Sequence, residues 1–279
     1  MENTKKFLAD HRAVVTGASS GIGAEYARQL AQLGASLVLV ARRLDRLETL
    51  AAELRAKYGV GVSTISLDLS TPGAAKTLFD RATAGGKEIT LLVNNAGIGR
   101  YGSFMDFSVS EHLSTIQINS SAPTEATYLF VQHMLKHGKP SYITQIASIA
   151  AFHPAAYFSV YCGSKGYLLY FTQALAFELK DTNIKLTCVC PGGTYTEFFE
   201  QSGQKITAHG HRTMMSAQDV VRSSIRATLR GKVIYIPGVL NKIACFMSRL
   251  LPRGLAVKLA FITMNKAVER VPPSTAAKL

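Results

Sequence analysis

The 279-residue sequence predicts an α/β protein: a doubly wound parallel sheet of about seven strands, followed by a basic amphipathic helical extension. Three observations predict it. Short β-rich runs alternate with longer stretches of helical period. The runs are continuously apolar, as strands covered on both faces are. A glycine-rich turn leads from the first run into the first helix.

The elements follow in order. "AVVTG" (13–17) is the first strand, and Ala24 to Leu33 carries Ala27, Leu30, Ala31 and Leu33 on one helical face. "SLVLVA" (36–41) is the second strand, and Leu44 to Tyr58 repeats Leu44, Leu47, Leu50, Ala51 and Leu54 at helical spacing. "VSTISL" (62–67), "ITLLVNNAG" (89–97), "SYITQIAS" (141–148) and "IKLTCVC" (184–190) continue the series, and "KVIYIPG" (232–238) is the seventh strand. The intervening helices are long enough for right-handed crossovers. No repeat, low-complexity stretch or linker divides the chain, and Pro272-Pro273 opens an expected frayed end.

Composition narrows the function classes. Hydrophobic residues make 47% of the chain and charged residues 18%, which excludes both a disordered chain and an ordinary membrane-spanning one. Four cysteines, Cys162, Cys188, Cys190 and Cys245, have no metal-ligand or disulfide spacing and are expected as free core thiols in a reducing compartment. The polar opening "MENTKKFLADHR" lacks an apolar leader core, so a cytoplasmic location is expected. Of the net charge of +13, +11 lies from Lys205 onward, where 13 Lys or Arg face only Asp219 and Glu269. Those cations alternate with aliphatics rather than with stacking aromatics, which argues against a nucleic-acid partner. His209 and His211 have no third ligand nearby in the sequence and are expected as loop residues, so no metal is expected.

"TGASSGIG" places Gly17, Ser19, Ser20, Gly21, Ile22 and Gly23 between the first strand and its helix. There a missing side chain lets a pyrophosphate approach a helix N-terminus. The second strand ends in Ala41, Arg42 and Arg43. A ribose 2′-hydroxyl is usually held there by a carboxylate, so two guanidinium groups favour a 2′-phosphate and hence NADP(H). The other reading is that both arginines begin a solvated helix. Of eleven tyrosines only Tyr161 has a lysine four positions on, Lys165. The spacing puts both on one helical face, where an ammonium is expected to draw the phenol's pKa down toward neutrality.

These motifs, with "DL" at 68–69, "NNAG" at 94–97, Asn119 in "QIN", Ser148 and "PGGTYT" at 191–196, resemble those of the short-chain dehydrogenase/reductase family over residues 10 to 240. The resemblance implies a Rossmann-type catalytic and NADP(H)-binding domain over residues 1–240, with a substrate loop at 195–216 and an extension at 241–279. It implies a catalytic tetrad: Tyr161 exchanging a proton with the substrate oxygen, Lys165 also holding the nicotinamide ribose, Ser148 binding the carbonyl and Asn119 holding a relay water. It implies cofactor contacts from Asp68 and Leu69, from Asn95, Ala96 and Gly97, and from Pro191, Gly192, Thr194 and Thr196, with Asn94 bracing the central strands.

The expected activity is hydride transfer between NADP(H) and a ketone or secondary alcohol. The alternative is an NADP(H)-binding sensor or docking protein without turnover. Phe198, with Phe199, Met214 and Met215, either lines an apolar substrate pocket or belongs to helix and core. The tail reads as two amphipathic helices joined at Pro252 to Gly254. It is too often interrupted by charge to span a bilayer, and is suited to an anionic membrane surface, to capping the pocket or to packing on a second subunit. It is similar to basic tails in the branch of long-chain 3-oxoacyl and hydroxysteroid reductases. The family commonly forms homodimers or homotetramers through the helices near 108–137 and 155–181. The terminal "AKL" resembles a peroxisomal address that only a eukaryotic host would read.

Overall fold

The computed structural model describes residues 7–270, so the terminal "AKL" and Pro272-Pro273 lie outside the described residues. The chain runs β1 (Arg12–Thr16), α1 (Gly21–Gln32), β2 (Ser36–Ala41), α2 (Leu44–Tyr58), β3 (Val62–Ser66), α3 (Ala74–Thr83), β4 (Leu91–Asn94), α4 (Val109–Ile116) and α5 (Ala122–His137). It continues through β5 (Ser141–Ile146), α6 (Ser159–Glu178), β6 (Ile184–Val189), α7 (Phe198–Gln201), β7 (Gln204–Ile206), α8 (Ala208–His211), α9 (Ala217–Leu229) and β8 (Ile234–Tyr235). It closes with α10 (Val239–Leu250), α11 (Arg253–Ala267) and β9 (Val268–Arg270).

Seven strands form one parallel sheet in the order β3-β2-β1-β4-β5-β6-β8. The doubly wound sheet expected from the apolar runs is therefore present. The seventh strand is shorter than "KVIYIPG" suggests, because only Cys188 and Val189 of β6 find partners in it. Alternate residues of each strand feed two cores. Val15, Leu37, Leu39 and Val93 pack under α1, α2 and α9 with Leu30, Leu47, Leu54 and Val221. Val14, Val38, Val40 and Leu92 pack under α3 and α5 with Leu78, Phe130 and Met134. The chain winds outward from β1 through β2 to β3 and then returns to β4 on β1's other side. The carboxyl ends of β1 and β4 therefore flank a switch point, where ligands of open sheets sit.

The extension forms two helices, α10 and α11, of which α10 is amphipathic as expected, whereas α11 exposes Leu255, Leu259 and Ile262, buries Ala256 and Ala260, and does not gather its apolar side chains on one face. Its end does something no local pattern signals: β9 pairs antiparallel with β7, Gln204 opposite Arg270 and Ile206 opposite Val268. Thr207 reinforces the pairing, donating its backbone N–H to Ala267 O at 3.0 Å and its hydroxyl to Lys266 O at 2.6 Å. Ala260 and Val268 join Tyr101, Phe158, Tyr161 and Cys162 in a separate apolar cluster against the sheet's open end. Among the described residues no helix is long and apolar enough to cross a membrane.

Candidate active site

The floor of the site is a knot between β1 and β4. Thr16 Oγ1 donates to Val93 O at 3.2 Å and accepts from the backbone N–H groups of Asn95 (2.9 Å) and Ala96 (3.0 Å). Asn95 Nδ2 donates to Thr16 O at 2.9 Å and Gly17 O at 3.3 Å. Gly17 (φ 66°) turns the chain at that knot, and Gly23 faces it so closely that a Cβ there would lie 2.2 Å from Gly17 O. Gly21, at φ 54°, lets Thr196 approach to within 2.9 Å of where a Cβ would be. The result is a turn whose backbone is bared before α1, the shape a pyrophosphate needs. Asn94 donates to Thr127 Oγ1 (3.2 Å) and Pro123 O (3.4 Å), and Gln145, its partner on β5, donates to the same Thr127 Oγ1 at 2.7 Å, so the central strands are braced through α5.

The two arginines after β2 differ. Arg42 is 67% exposed and lies 3.8 Å from Asp68. Arg43 donates to Ser19 Oγ (3.1 Å), Ser20 Oγ (3.0 Å) and Glu197 Oε2 (3.0 Å), lacing the glycine turn to the segment that follows β6. Hydrogen bonding from Arg46 and then Arg43 holds the Glu197 carboxyl below its usual range. Burial pushes the Asp68 carboxyl up, but two hydrogen bonds from Ser70 and the charge of Arg42 outweigh it and leave it lowered.

Tyr161 and Lys165 come from one face of α6, 8% and 4% exposed. Lys165 Nζ lies 5.7 Å from the Tyr161 ring centre and donates to Ile146 O at 2.8 Å. Burial lowers the Lys165 pKa to about 8, against a smaller raising effect of Cys188 and Cys190. Burial raises the Tyr161 pKa, and the influence opposing it is a hydrogen bond with Ser148. The expected pull of Lys165 on the phenol is thus outweighed, since the ring is enclosed by Phe158 (4.3 Å, stacked) and Phe198 (5.5 Å) while the ammonium leans toward a carbonyl. Ser148, at the exit of β5, caps a single helical turn by accepting from Ala150 N at 3.1 Å.

Asn119 is fully buried in a π-helical turn between α4 and α5. Its carboxamide accepts from Ile98 N and donates to Ile98 O, both at 2.9 Å, and donates to Ser164 Oγ at 3.0 Å. A Cβ on Gly97 would fall 3.1 Å from Asn119 Oδ1 and 3.2 Å from Lys165 Nζ, so that glycine lets both approach.

One cavity of about 590 Å³ joins these parts. It is lined by Gly17, Ser19, Ser20, Gly21 and Ile22, by Arg42, Arg43, Asp68 and Leu69, and by Asn95, Ala96 and Gly97. Ser148, Tyr161, Lys165, Pro191, Gly192, Thr194, Thr196 and Phe198 complete the expected set. Gly23 and Asn119 stand one layer behind its wall. Beyond Tyr161 the lining turns apolar with Phe158, Phe198, Phe199, Met214, Met264 and Val268. Met215 is instead a framework residue, its backbone bonded to Gly193 O and Tyr195 N.

Sequence reasoning missed Thr16, although it opens the glycine motif, and Glu197. It also missed Asn241, Ala244, Thr263, Met264, Ala267 and Val268, which the tail brings to the cavity wall. His211 faces Tyr195, Nδ1 to hydroxyl at 3.2 Å, and among the described residues no group of three metal-ligating side chains converges. All four cysteines are buried and free.

A parallel sheet with its glycine turn, switch-point crevice and Ser-Tyr-Lys face defines an oxidoreductase of the dinucleotide-binding type. Residues 11–207 match the short chain dehydrogenase family model, and the chain belongs to that family of oxidoreductases. It is similar to the probable oxidoreductase EphD of Mycobacterium tuberculosis (31% identity over 197 residues), covering 71% of this chain but only 33% of that one, so the chain spans about a third of EphD's length. It is similar to the very-long-chain 3-oxoacyl-CoA reductase of Debaryomyces hansenii (35% identity over 185 residues, 63% of this chain and 54% of the other). Among solved structures it is similar to a short-chain dehydrogenase from Sphingobium yanoikuyae in complex with NADPH (TM-score 0.77, 31% identity, 82% of this chain and 88% of the other).

Proposed function

We propose that the chain is an NADP(H)-dependent reductase, or reversible dehydrogenase, of a ketone or secondary alcohol carried by an apolar molecule of steroid-like or 3-oxoacyl-like character. The observation that carries the reading is that Ser148, Tyr161 and Lys165 open onto one cavity between the bared glycine turn and an apolar chamber. The bound dinucleotide would supply the hydride. Gly17 to Gly23 would hold its pyrophosphate, Arg42 and Arg43 its 2′-phosphate, Asp68 and Leu69 its adenine side, and Thr194 and Thr196 its nicotinamide side.

Tyr161 gives its proton to the substrate oxygen. A phenol whose pKa burial has raised keeps that proton at neutral pH and releases it only to a strongly basic oxygen such as a forming alkoxide. Ser148 holds the same oxygen and the phenol. Lys165, ionising near 8, remains mostly protonated at pH 7 and places positive charge beneath the ring. Asn119 fixes the Ile98 turn and the start of α6 behind them. The test is a panel of steroid ketones, 3-oxoacyl thioesters, quinones and small ketones, followed at the nicotinamide absorbance with Tyr161→Phe as control. Absence of turnover across the panel would shift the reading to a non-catalytic binder.

We also propose that residues 1–240 and 241–279 act as catalytic domain and appended tail, and that the enzyme works in the cytoplasm as a homodimer or homotetramer through α5 and α6. Tyr128 and Leu135 of α5, and Tyr170 and Phe177 of α6, are exposed at seven-residue spacing and support that pairing. The outer face of α10 supports peripheral contact with an anionic membrane: Val239, Leu240, Ile243, Phe246, Met247 and Leu250 form one exposed apolar arc, with Lys242 and Arg249 beside it on the helix.

A further inference from the structure

The apolar chamber beyond Tyr161 contains polar groups that the proposed reduction does not use. Gln204 is 5% exposed, lines the cavity, and its Nε2 has no hydrogen-bond partner among the described residues. His153 lines the same cavity, and its Nδ1 is likewise buried without a partner. Burial lowers the His153 pKa, so the imidazole is neutral at pH 7. An unpaired buried donor is destabilising, and most such groups in folded proteins have partners. Gln204 is held there firmly: it begins β7, its backbone register is fixed opposite Arg270 by β9, and the chamber around it is walled by Phe198, Phe199 and Met264. Gln201, Thr213 and Thr263 also line this cavity, but the Gln204 carboxamide is the one of these side chains left with a buried unpaired donor, and turning it toward the cavity lets a ligand oxygen that enters with the substrate satisfy it.

We propose that Gln204 is a specificity residue for a second oxygen function on the substrate, with His153 as an accessory polar contact. On this inference, which rests on the reductase reading, the preferred substrates are apolar molecules with two oxygens: the carbonyl reduced at Tyr161 and an acceptor oxygen bound by the Gln204 carboxamide. A ketone with one oxygen leaves that donor buried and unpaired, and sites built to pair a polar group reject analogues that lack it. Two sources fit the same chemistry, a remote ring carbonyl or a thioester carbonyl close to the ketone.

The test compares matched pairs at saturating NADPH: androstane-3,17-dione with androstan-3-one, and a 3-oxoacyl thioester with the 2-alkanone of equal chain length. The full-length protein is expected to favour the two-oxygen member of one pair by roughly tenfold or more in kcat/KM, and the pair that shows it identifies the source. Gln204→Leu should bring that ratio close to one by raising KM for the two-oxygen member, with kcat and the one-oxygen ketone little changed. Gln204→Glu, which replaces the donor by a carboxylate, should invert it. A ratio near one in the parent, or a ratio untouched by Gln204→Leu, overturns the proposal.

If no ketone is reduced, the reductase reading fails separately, and thermal shift in NADP⁺ decides on Gln204. Protection by a two-oxygen ligand that Gln204→Leu abolishes supports the inference, and equal or absent protection in both proteins overturns it.

Discussion

Ser148 and Tyr161 come to one cavity from different elements, the exit of β5 and the first turn of α6, and the Ser148 hydroxyl opposes the burial that raises the phenol's pKa. Tyr161→Phe removes the proton and keeps the stacking on Phe158. It is expected to lower kcat by about 10²- to 10⁴-fold, the usual contribution of a positioned acid or base, while NADPH binding by fluorescence titration stays within a few-fold of the parent. Equal kcat in the two proteins would remove Tyr161 from the chemistry.

The pH dependence should follow Lys165. Its folded pKa lies near 8, below the ordinary lysine value, so the ammonium is present at pH 7 and is lost as pH rises through about 8. The reduction rate is expected to be flat near pH 7 and to fall above about 8, and Lys165→Met should be slow at every pH with no such limb. Stability runs the other way. Between about 8 and the unfolded value the unfolded chain binds the extra proton, so this residue's contribution to folding improves as pH rises there. Urea midpoints at pH 7.5 and 9.5 separate the parent from Lys165→Met.

Arg42 and Arg43 should not be equivalent. Arg43 is already engaged by Glu197, Ser19 and Ser20, whereas Arg42 faces Asp68 loosely across 3.8 Å. Arg42→Ala is expected to weaken NADPH by about tenfold, the scale of a charge-assisted contact, and to leave NADH unchanged. Preserved discrimination in the KM values would show that Arg42 does not read the phosphate.

Gly23→Ala tests the cradle. Its added methyl would meet a backbone oxygen, Gly17 O, at 2.2 Å, and neither chain segment can yield cheaply. A loss of about 1–3 kcal/mol is expected from such overpacking, read as a lower urea midpoint together with weakened dinucleotide binding. Gly163→Ala, with open space around its Cβ, is the matched control on α6.

The outer face of α10 makes a separable prediction. Phe246→Glu with Leu250→Glu should abolish pelleting with phosphatidylglycerol vesicles and leave turnover of a soluble ketone intact, because both side chains point away from the cavity. Equal pelleting of parent and variant would remove the membrane reading. A change in sedimentation mass instead would mark the face as a contact between subunits.

The sheet and the glycine turn were legible in the sequence because their information is local. Apolar runs wound around a glycine turn specify β1, α1 and β2 within thirty contiguous residues, and the Tyr161-to-Lys165 spacing is itself helix geometry. What escaped is long-range. Nothing in "QKI" announces that Gln204 to Ile206 will pair with Val268 to Arg270. Asn241 and Met264 likewise reach the cavity only because α10 and α11 fold back over it. The expected depression of the Tyr161 pKa failed for a related reason. Helical spacing brings the ammonium near, but the enclosure that opposes ionisation joins Phe158, just before α6, to Phe198 of α7, and only the fold brings Phe198 there.

The short antiparallel ribbon of β7 and β9 makes one wall of the cavity depend on two segments some sixty residues apart, Gln204 to Ile206 and Val268 to Arg270. Anyone grafting residues 195–216 from a relative would have to transplant the partner strand Val268 to Arg270 too, or the grafted segment would lose its anchor. A truncation that removes Val268 to Arg270 would take the same anchor away and leave Gln204 to Ile206 without their ladder.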